Sequence, residues 1–416
     1  MFLKPICSAG PVHRNIRNKS RKSISVYMSR IQINSKMPDL PVSIFTQMSQ
    51  LAAAHQAINL GQGFPDFPMD ARLQDLVLQA MRDGFNQYAH SNGYPLLREV
   101  IAEKIKRLYG NPVSAEHEIT ITPGGTYAIS NALTAVLQPG DEVILFEPCF
   151  DSYIPNIEIM GAIPVPIPLN FPSYSIPWEK VRQAIGPKTR MIILNSPGNP
   201  TATILSRADL DTLKELVEGS NILIMSDEVY EHLIFDGEKH LSILSDPELF
   251  ERSFVAFSLG KVFHCTGWKT GYCIAPSYLM KEFRNHHQFN VFSVGSALQV
   301  AMARYLQDPE VYLSLPDFFQ KKRDFFLGEL KTPFLKPLTC KGSYFQCFTF
   351  DKNSGISDFD LAGIFTREFG VATIPVSAFY RDKTDNGVLR ICFAKKEETL
   401  AAAATRLNHA DYSKLK

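Results

Sequence analysis

A chain of 416 residues, 45% hydrophobic and 20% charged, is long enough for two or three packed units around a large core. A formal charge of +1 argues against nucleic acid or an anionic membrane surface as partner, and no apolar run reaches the ~20 residues of a membrane span. Seven cysteines (7, 149, 265, 273, 340, 347 and 392) lack any metal-type spacing. An odd, scattered set suits reduced thiols in a cytosol-like compartment.

Residues 1–37 hold eight of the 43 basic residues and none of the 42 acids, which leaves the body 35 bases against 42 acids, a charge of −7. A basic, Ser/Arg-rich leader reads as a disordered tail or as sequence upstream of a start at Met28 or Met37; an organellar transit peptide is the other reading. The expectation is a cytoplasmic protein, with organellar import kept open. After it, Ile44 to His55 has helical periodicity. Gly61-Gln-Gly-Phe-Pro-Asp-Phe-Pro68 is an ordered loop, and helices are expected over Asp70–Asp83 and Leu96–Leu108.

An alternation then sets in. Strand-like runs at Glu118–Thr122, Glu142–Phe146, Ala162–Ile167, Met191–Leu194, Ile222–Met225 and Phe254–Ala256 are separated by helical patterns at Thr126–Leu137, Trp178–Ile185 and Asp209–Glu218. Continuous apolar strands between helices indicate an α/β fold with a largely parallel sheet covered on both faces. Ligands of such sheets bind beyond the carboxyl ends of the strands, where Gly124-Gly125, Asn195, Asp227, Ser258 and Lys261 fall. From about residue 305 long charged helices (Leu315–Thr332, Ile356–Phe369) alternate with strands at Ser343–Phe350 and Val388–Phe393, and Glu397–His409 closes the chain. This reads as a second, smaller α/β domain. The expected divisions are 1–37 leader, 38–60 a segment packing with the small domain, 61–304 the large domain and 305–416 the small one.

Each polar cluster has two readings. The Pro123-Gly-Gly125 turn before a helix can cradle phosphate on free amides, or hold glycine for steric reasons alone. Asn199 is a ligand-facing amide or an extended residue before Pro200. Asp227 is a buried carboxylate seeking a cation, with Tyr230 three residues on, or the cap of a following helix. Arg390, inside the apolar Leu389-Arg-Ile-Cys-Phe393, takes a substrate carboxylate or an internal salt bridge. Lys261 and Lys269 are loop cations, or amines in a dry pocket where desolvation frees one to attack a carbonyl. Taken together these groups ask for one ligand with a phosphate, a ring cation, a phenolic oxygen and an aldehyde. Pyridoxal phosphate has all four, and its amino-acid substrates bring the carboxylate.

Ile58-Asn-Leu-Gly-Gln-Gly-Phe-Pro-Asp-Phe67, Ser226-Asp-Glu-Val-Tyr-Glu-His232, Thr266-Gly-Trp-Lys-Thr-Gly-Tyr272 and Ile391-Cys-Phe-Ala-Lys-Lys396 occur in that order. From about Ile44 to His409 the sequence resembles the class I/II pyridoxal-phosphate aminotransferases of fold type I, in particular the bacterial methionine and the kynurenine (glutamine transaminase K) subgroup. The resemblance implies a large domain with a mostly parallel seven-stranded sheet between helices, plus a smaller α/β domain.

Residue by residue it implies Lys261 as the lysine bonded to the cofactor and the shuttle for the substrate Cα proton. Lys269, Ser258 and the amides of Gly125 and Thr126 would form the phosphate site, and Asp227 would keep the pyridine nitrogen protonated. Tyr230 and Asn199 would bond the ring oxygen and Phe150 would stack on the ring. Arg390 and Asn199, with the Gly63 amide, would take the α-carboxylate. Tyr88 and the Phe292-Ser293 segment would reach into a neighbouring subunit's site, which implies a homodimer with shared active sites. Dicarboxylate-specific relatives use a second arginine, and Gln288–Gly295 offers none, so neutral apolar or aromatic amino acids such as methionine, phenylalanine, kynurenine or glutamine are the expected donors in a ping-pong transfer to a 2-oxo acid. β-Elimination from cysteine S-conjugates is the rival chemistry on the same site. A non-catalytic regulator is the rival class, and the leader is too short and irregular for a helix-turn-helix.

Overall fold

Along the strand Glu142–Glu147 successive side chains enter opposite cores: Val143 and Leu145 join one apolar cluster, Ile144 and Phe146 the other. Met191 and Ile193 part from Ile192 and Leu194 in the same way, as do Met225 and Ile224. A continuous apolar run buried on both faces is what a central parallel strand requires, and helices supply the two covers. The computed structural model describes residues 33–38, 40–351 and 355–415. The chain divides into Met1–Asp39 and Leu40–Lys416; of the basic leader read from the sequence, residues 1–32 lie outside the described set.

Across the main sheet the seven strands run Ile119–Thr122, Gly271–Ile274, Ser253–Ser258, Leu223–Asp227, Thr189–Asn195, Glu142–Glu147 and Ile163–Pro168. All pairings are parallel except those of Gly271–Ile274, which runs antiparallel to both neighbours. Helices Gly125–Val136, Tyr153–Ile159 and Ser277–Asn290 send Leu133, Ile157 and Phe283 into one core. Helices Pro95–Tyr109 and Arg207–Val217 bury Ile101, Ile105, Leu210 and Leu213 in the other.

A second, antiparallel sheet is ordered Ile374–Pro375, Val388–Cys392, Phe345–Thr349, Lys336–Pro337. Ile58–Asn59 pairs in parallel with Val371–Ala372. Helix Ile44–Ala54, capped by the Ser43 side chain, buries Ile44, Met48 and Ala52, one every four residues as a single helical stripe demands. Among the described residues no helix is long and apolar enough to cross a membrane, and no group of His, Cys, Asp and Glu is placed to hold a metal. Cys149, Cys265, Cys273, Cys340, Cys347 and Cys392 are free and buried.

Register positions the functional loops. Asn195 lies opposite Asp227, and Asp227 opposite Ala256 two residues before Ser258. On the antiparallel side Gly271 faces both Thr122 and Ser258, which draws the Gly124-Gly125 turn against the end of Ser253–Ser258.

Candidate active site

The strand ends open on a cavity of about 240 Å³. It is lined by Gly63, Gly125, Thr126, Phe150, Asn199, Asp227, Tyr230, Ser258, Lys261, Lys269 and Arg390, together with Phe45, Gln62, Asn195, Thr266 and Phe345 among others. Every site residue expected from the sequence is there except Tyr88, Phe292 and Ser293, the three assigned to a neighbouring subunit's site. The Tyr88 side chain is 82% exposed and sits edge-on to the ring of Phe292, 5.2 Å away.

One end of the cavity is built for an anion. Gly124, at φ +88°, caps the twelve-residue helix Gly125–Val136 and turns its unpaired amides toward the cavity. Close packing fixes the turn: a Cβ on Gly125 would lie 2.6 Å from Val229 Cγ1, and one on Gly271 would lie 2.5 Å from the Phe257 carbonyl. Lys269 adopts the left-handed conformation (φ +50°), and its Nζ would be 3.5 Å from a Cβ placed on Gly124. The Ser258 hydroxyl accepts the Lys261 amide at 3.3 Å, which caps the short helix Leu259–Val262.

The floor carries Asp227, whose strand is followed by turns rather than by the helix that a capping role needs. The Val229 amide donates to its Oδ1 (3.3 Å) and the Tyr153 hydroxyl to its Oδ2 (2.5 Å). Burial raises the Asp227 carboxyl to about 6 despite those two donors. Asn195 ties the floor to the next loop: its amide donates to the Asp227 carbonyl (3.0 Å) and its oxygen accepts the Asn199 amide (2.7 Å). Tyr230 is buried beside this floor, and Phe150 packs edge-on to Tyr153.

Two cations complete the site. Lys261 donates from Nζ to the Gly63 carbonyl (3.1 Å) and the Tyr344 hydroxyl (2.8 Å), and burial pulls its amine down to about 8. Arg390 is fully buried without an ion pair among the described residues, so the salt-bridge alternative does not hold. Its guanidinium donates to Asn199 Oδ1 (2.6 Å) and the Gly61 carbonyl (2.7 Å), lies 3.9 Å from the Phe345 ring centroid, and leaves Nε without a partner. A buried guanidinium held only by neutral acceptors is prepared for an anion.

Several participants escape sequence reasoning. Tyr153, Phe345 and Tyr344 read as ordinary aromatic core positions, and their polar or ring contacts arise from segments far apart in the chain. Beneath the Ser226–His232 segment a buried pair, Lys104 Nζ to Glu231 Oε1 at 2.5 Å, is joined by Tyr109 and Tyr272, whose hydroxyls donate to Glu231 at 2.9 and 3.2 Å. Lys104, inside a helical apolar stripe, gave a single signal in the sequence: a cation on the wrong face.

The donor set fits pyridoxal phosphate. Amides and a lysine gather at one end, a carboxylate lacking a cation lies at the floor, and an amine of lowered basicity and an arginine lacking an anion complete the lining. Comparison with other proteins agrees with this chemistry. Residues 55–407 match the family described as aminotransferase class I and II. The chain is 45% identical over 374 residues to a methionine aminotransferase of Escherichia coli strain K12, covering 90% of this chain and 97% of the relative. It is 34% identical to the human kynurenine–oxoglutarate transaminase 3, covering 92% and 91%. The solved structure of Escherichia coli YbdL, identified with a methionine aminotransferase function, superposes with a TM-score of 0.89 at 44% identity, covering 91% of this chain and all of that one.

Proposed function

Because the chain belongs to the class I and II aminotransferases, we propose that it moves the amino group of a neutral, apolar or aromatic L-amino acid (methionine, kynurenine, phenylalanine or glutamine type) to a 2-oxo acid, with pyridoxal phosphate as cofactor. The observation that carries this reading is the meeting of Lys261, Asp227 and Arg390 in one cavity, each without an ion pair among the described residues. The related proteins named above are transaminases, which favours group transfer over elimination or a regulatory role.

In this reading Lys269, Ser258 and the amides of Gly125 and Thr126 would hold the phosphate, Asp227 would serve the ring nitrogen, Tyr230 and Asn199 would bond the ring oxygen, and Phe150 would pack on the ring. When bound, pyridoxal phosphate supplies an aldehyde carbon and a ring that accepts the electron pair left on Cα. Lys261 would hold the cofactor through that aldehyde. Free of that bond, the neutral Lys261 amine would take the proton from the substrate Cα, a role suited to an amine that burial lowers to about 8. Arg390 and Asn199, with the Gly63 amide, clamp the α-carboxylate, which fixes the angle of the Cα–H bond. The overall cycle is two half-reactions: one amino acid leaves as its 2-oxo acid, then a second oxo acid leaves as its amino acid.

Residues 61–304 then form the cofactor-binding body, and 305–416, joined by 38–60, bring Arg390 and Tyr344 to it. Tyr88, Phe292 and Ser293 serve the neighbouring site of a homodimer. Arg390 is the one arginine of this chain lining the cavity among the described residues, which supports a neutral side chain on the substrate.

Two measurements test this. Methionine should exceed aspartate in kcat/KM by about tenfold or more, since an unpaired buried carboxylate costs at least that much; a preference for aspartate would overturn the substrate reading. Lys261→Ala should abolish turnover and the absorbance of lysine-linked cofactor, whereas Lys269→Ala should weaken cofactor retention while leaving the link able to form at saturating cofactor. The reverse pattern would exchange the two lysines.

A further inference from the structure

The Tyr344 hydroxyl stands between the Lys261 amine and the loop that carries Gly63. It is fully buried, donates its single proton to the Gly63 carbonyl at 2.5 Å, and lies 2.8 Å from Lys261 Nζ. A phenol that has spent its proton on a carbonyl offers only lone pairs to any other neighbour. Toward Lys261 it is therefore an acceptor. The Gly63 carbonyl is the second acceptor, 3.1 Å from the same nitrogen.

A neutral amine has two N–H bonds and one lone pair. With both N–H bonds claimed by Tyr344 and Gly63, the lone pair takes the remaining tetrahedral direction, for which no protein partner exists among the described residues. The post itself is stiff. The Tyr344 ring packs edge-on to Tyr230 at 5.0 Å and against Phe345 at 4.9 Å. The Gly63 loop is tied down on either side, by Arg390 on the Gly61 carbonyl and by Lys395 on the Phe64 carbonyl (both 2.7 Å). Gly63 has to lack a side chain here, since a Cβ would fall 2.8 Å from Phe345 Cζ.

We propose that Tyr344 is a further catalytic residue: its hydroxyl, locked as an acceptor by Gly63, docks the Lys261 amine and aims its lone pair whenever that amine is not bonded to the cofactor. The proposal rests on the reading of Lys261 given above. It assigns Tyr344 to the proton transfer, and to neither cofactor capture nor carboxylate binding.

Tyr344→Phe keeps the ring and its packing and removes the hydroxyl, both the acceptor for Lys261 and the donor to the Gly63 carbonyl. In the full chain freed of cofactor, the pH dependence of Lys261 acetylation by acetic anhydride, read by mass spectrometry, should shift its midpoint down by about one pH unit, because the ammonium loses a charge-assisted acceptor. In the loaded enzyme kcat should fall about tenfold or more, with KM for the amino acid within about twofold and cofactor loading intact. An unmoved acetylation profile, an unchanged kcat, or a variant that no longer loads cofactor would each overturn the proposal. Borohydride reduction of the wild-type holoenzyme separates this from the underlying reading. Cofactor fixed on Lys261 with an unmoved profile sinks the role of Tyr344 alone; cofactor fixed elsewhere sinks the Lys261 assignment and this proposal with it.

Discussion

Asp227 is held in the fold against its own preference. Burial pushes its carboxyl up to about 6, from an ordinary value of 3.8, because Tyr153 and the Val229 amide replace only part of the water it gave up. A folded value above the unfolded one means the native chain binds the proton more tightly, so stability is fully present below about 4 and is lost as pH rises through about 6. Asp227→Asn removes the charge and keeps an acceptor for Tyr153. In the cofactor-free chain it should therefore raise stability at pH 7–8 by about 3 kcal/mol, a difference that closes toward pH 4, while cofactor affinity falls. Thermal melts of both chains between pH 4 and 8 check the sign; an equal loss of stability at every pH would mean Asp227 is a structural carboxylate. At this scale the sequence disclosed the charged members of the site, since Asp227, Lys261 and Arg390 each stand against apolar strands. It did not disclose Tyr153, which meets Asp227 across 74 positions, or Tyr344, which meets Lys261 across 83. A buried aromatic residue looks the same in sequence whether or not its hydroxyl has work to do.

The segment Ser226–His232 hangs its functional side chains, Asp227 and Tyr230, between buried anchors. Glu228 accepts from Ser226 (2.9 Å), the Ile243 amide (3.1 Å) and the His240 ring (2.8 Å). Glu231 is held by Lys104, Tyr109 and Tyr272, and although burial favours its neutral form, the charge of Lys104 brings its carboxyl down to about 2. Three donors on one buried carboxylate leave it charged, so removing the cation strands an anion in the core. Lys104→Met should cost about 3–5 kcal/mol, and adding Glu231→Gln should recover most of it, because the penalty is the unpaired charge rather than a lost attraction. Denaturant titration of the single and double variants measures this; a double variant no better than the single would place the cost in packing instead. Elements of this kind were legible where length and period agreed. The long apolar strands and the helices at 95–109 and 207–217 emerge from pattern to within a few residues. Helices Tyr153–Ile159 and Ser277–Asn290 did not, the first carrying Pro155 in its opening turn and the second exposing a largely polar face. Strands of two residues, such as Ile58–Asn59 and Ile374–Pro375, have no periodicity to read and exist through their partners.

At the scale of the whole molecule the cavity and the exposed ring pair call for each other. Tyr88 and Phe292 stand edge-on at the surface, the latter at φ +67°, a conformation that costs a non-glycine residue free energy, and Phe289 nearby in the chain is 88% exposed. Large aromatic side chains kept in water beside a strained turn are suited to burial against a second copy. With the resemblance-based role of Tyr88 this makes a test that depends on symmetry. In a two-fold dimer each site would take Lys261 from one subunit and Tyr88 from the other. A Lys261→Ala chain and a Tyr88→Ala chain, each impaired alone, should regain activity when unfolded together and refolded as a 1:1 mixture. Half of the dimers are then mixed and one of their two sites is whole, so activity should rise to about one quarter of wild type. Mixing folded homodimers should regain it only as fast as subunits exchange. If the refolded mixture stays at the average of its parents, Tyr88 serves its own subunit or no site at all, and its exposure needs another explanation.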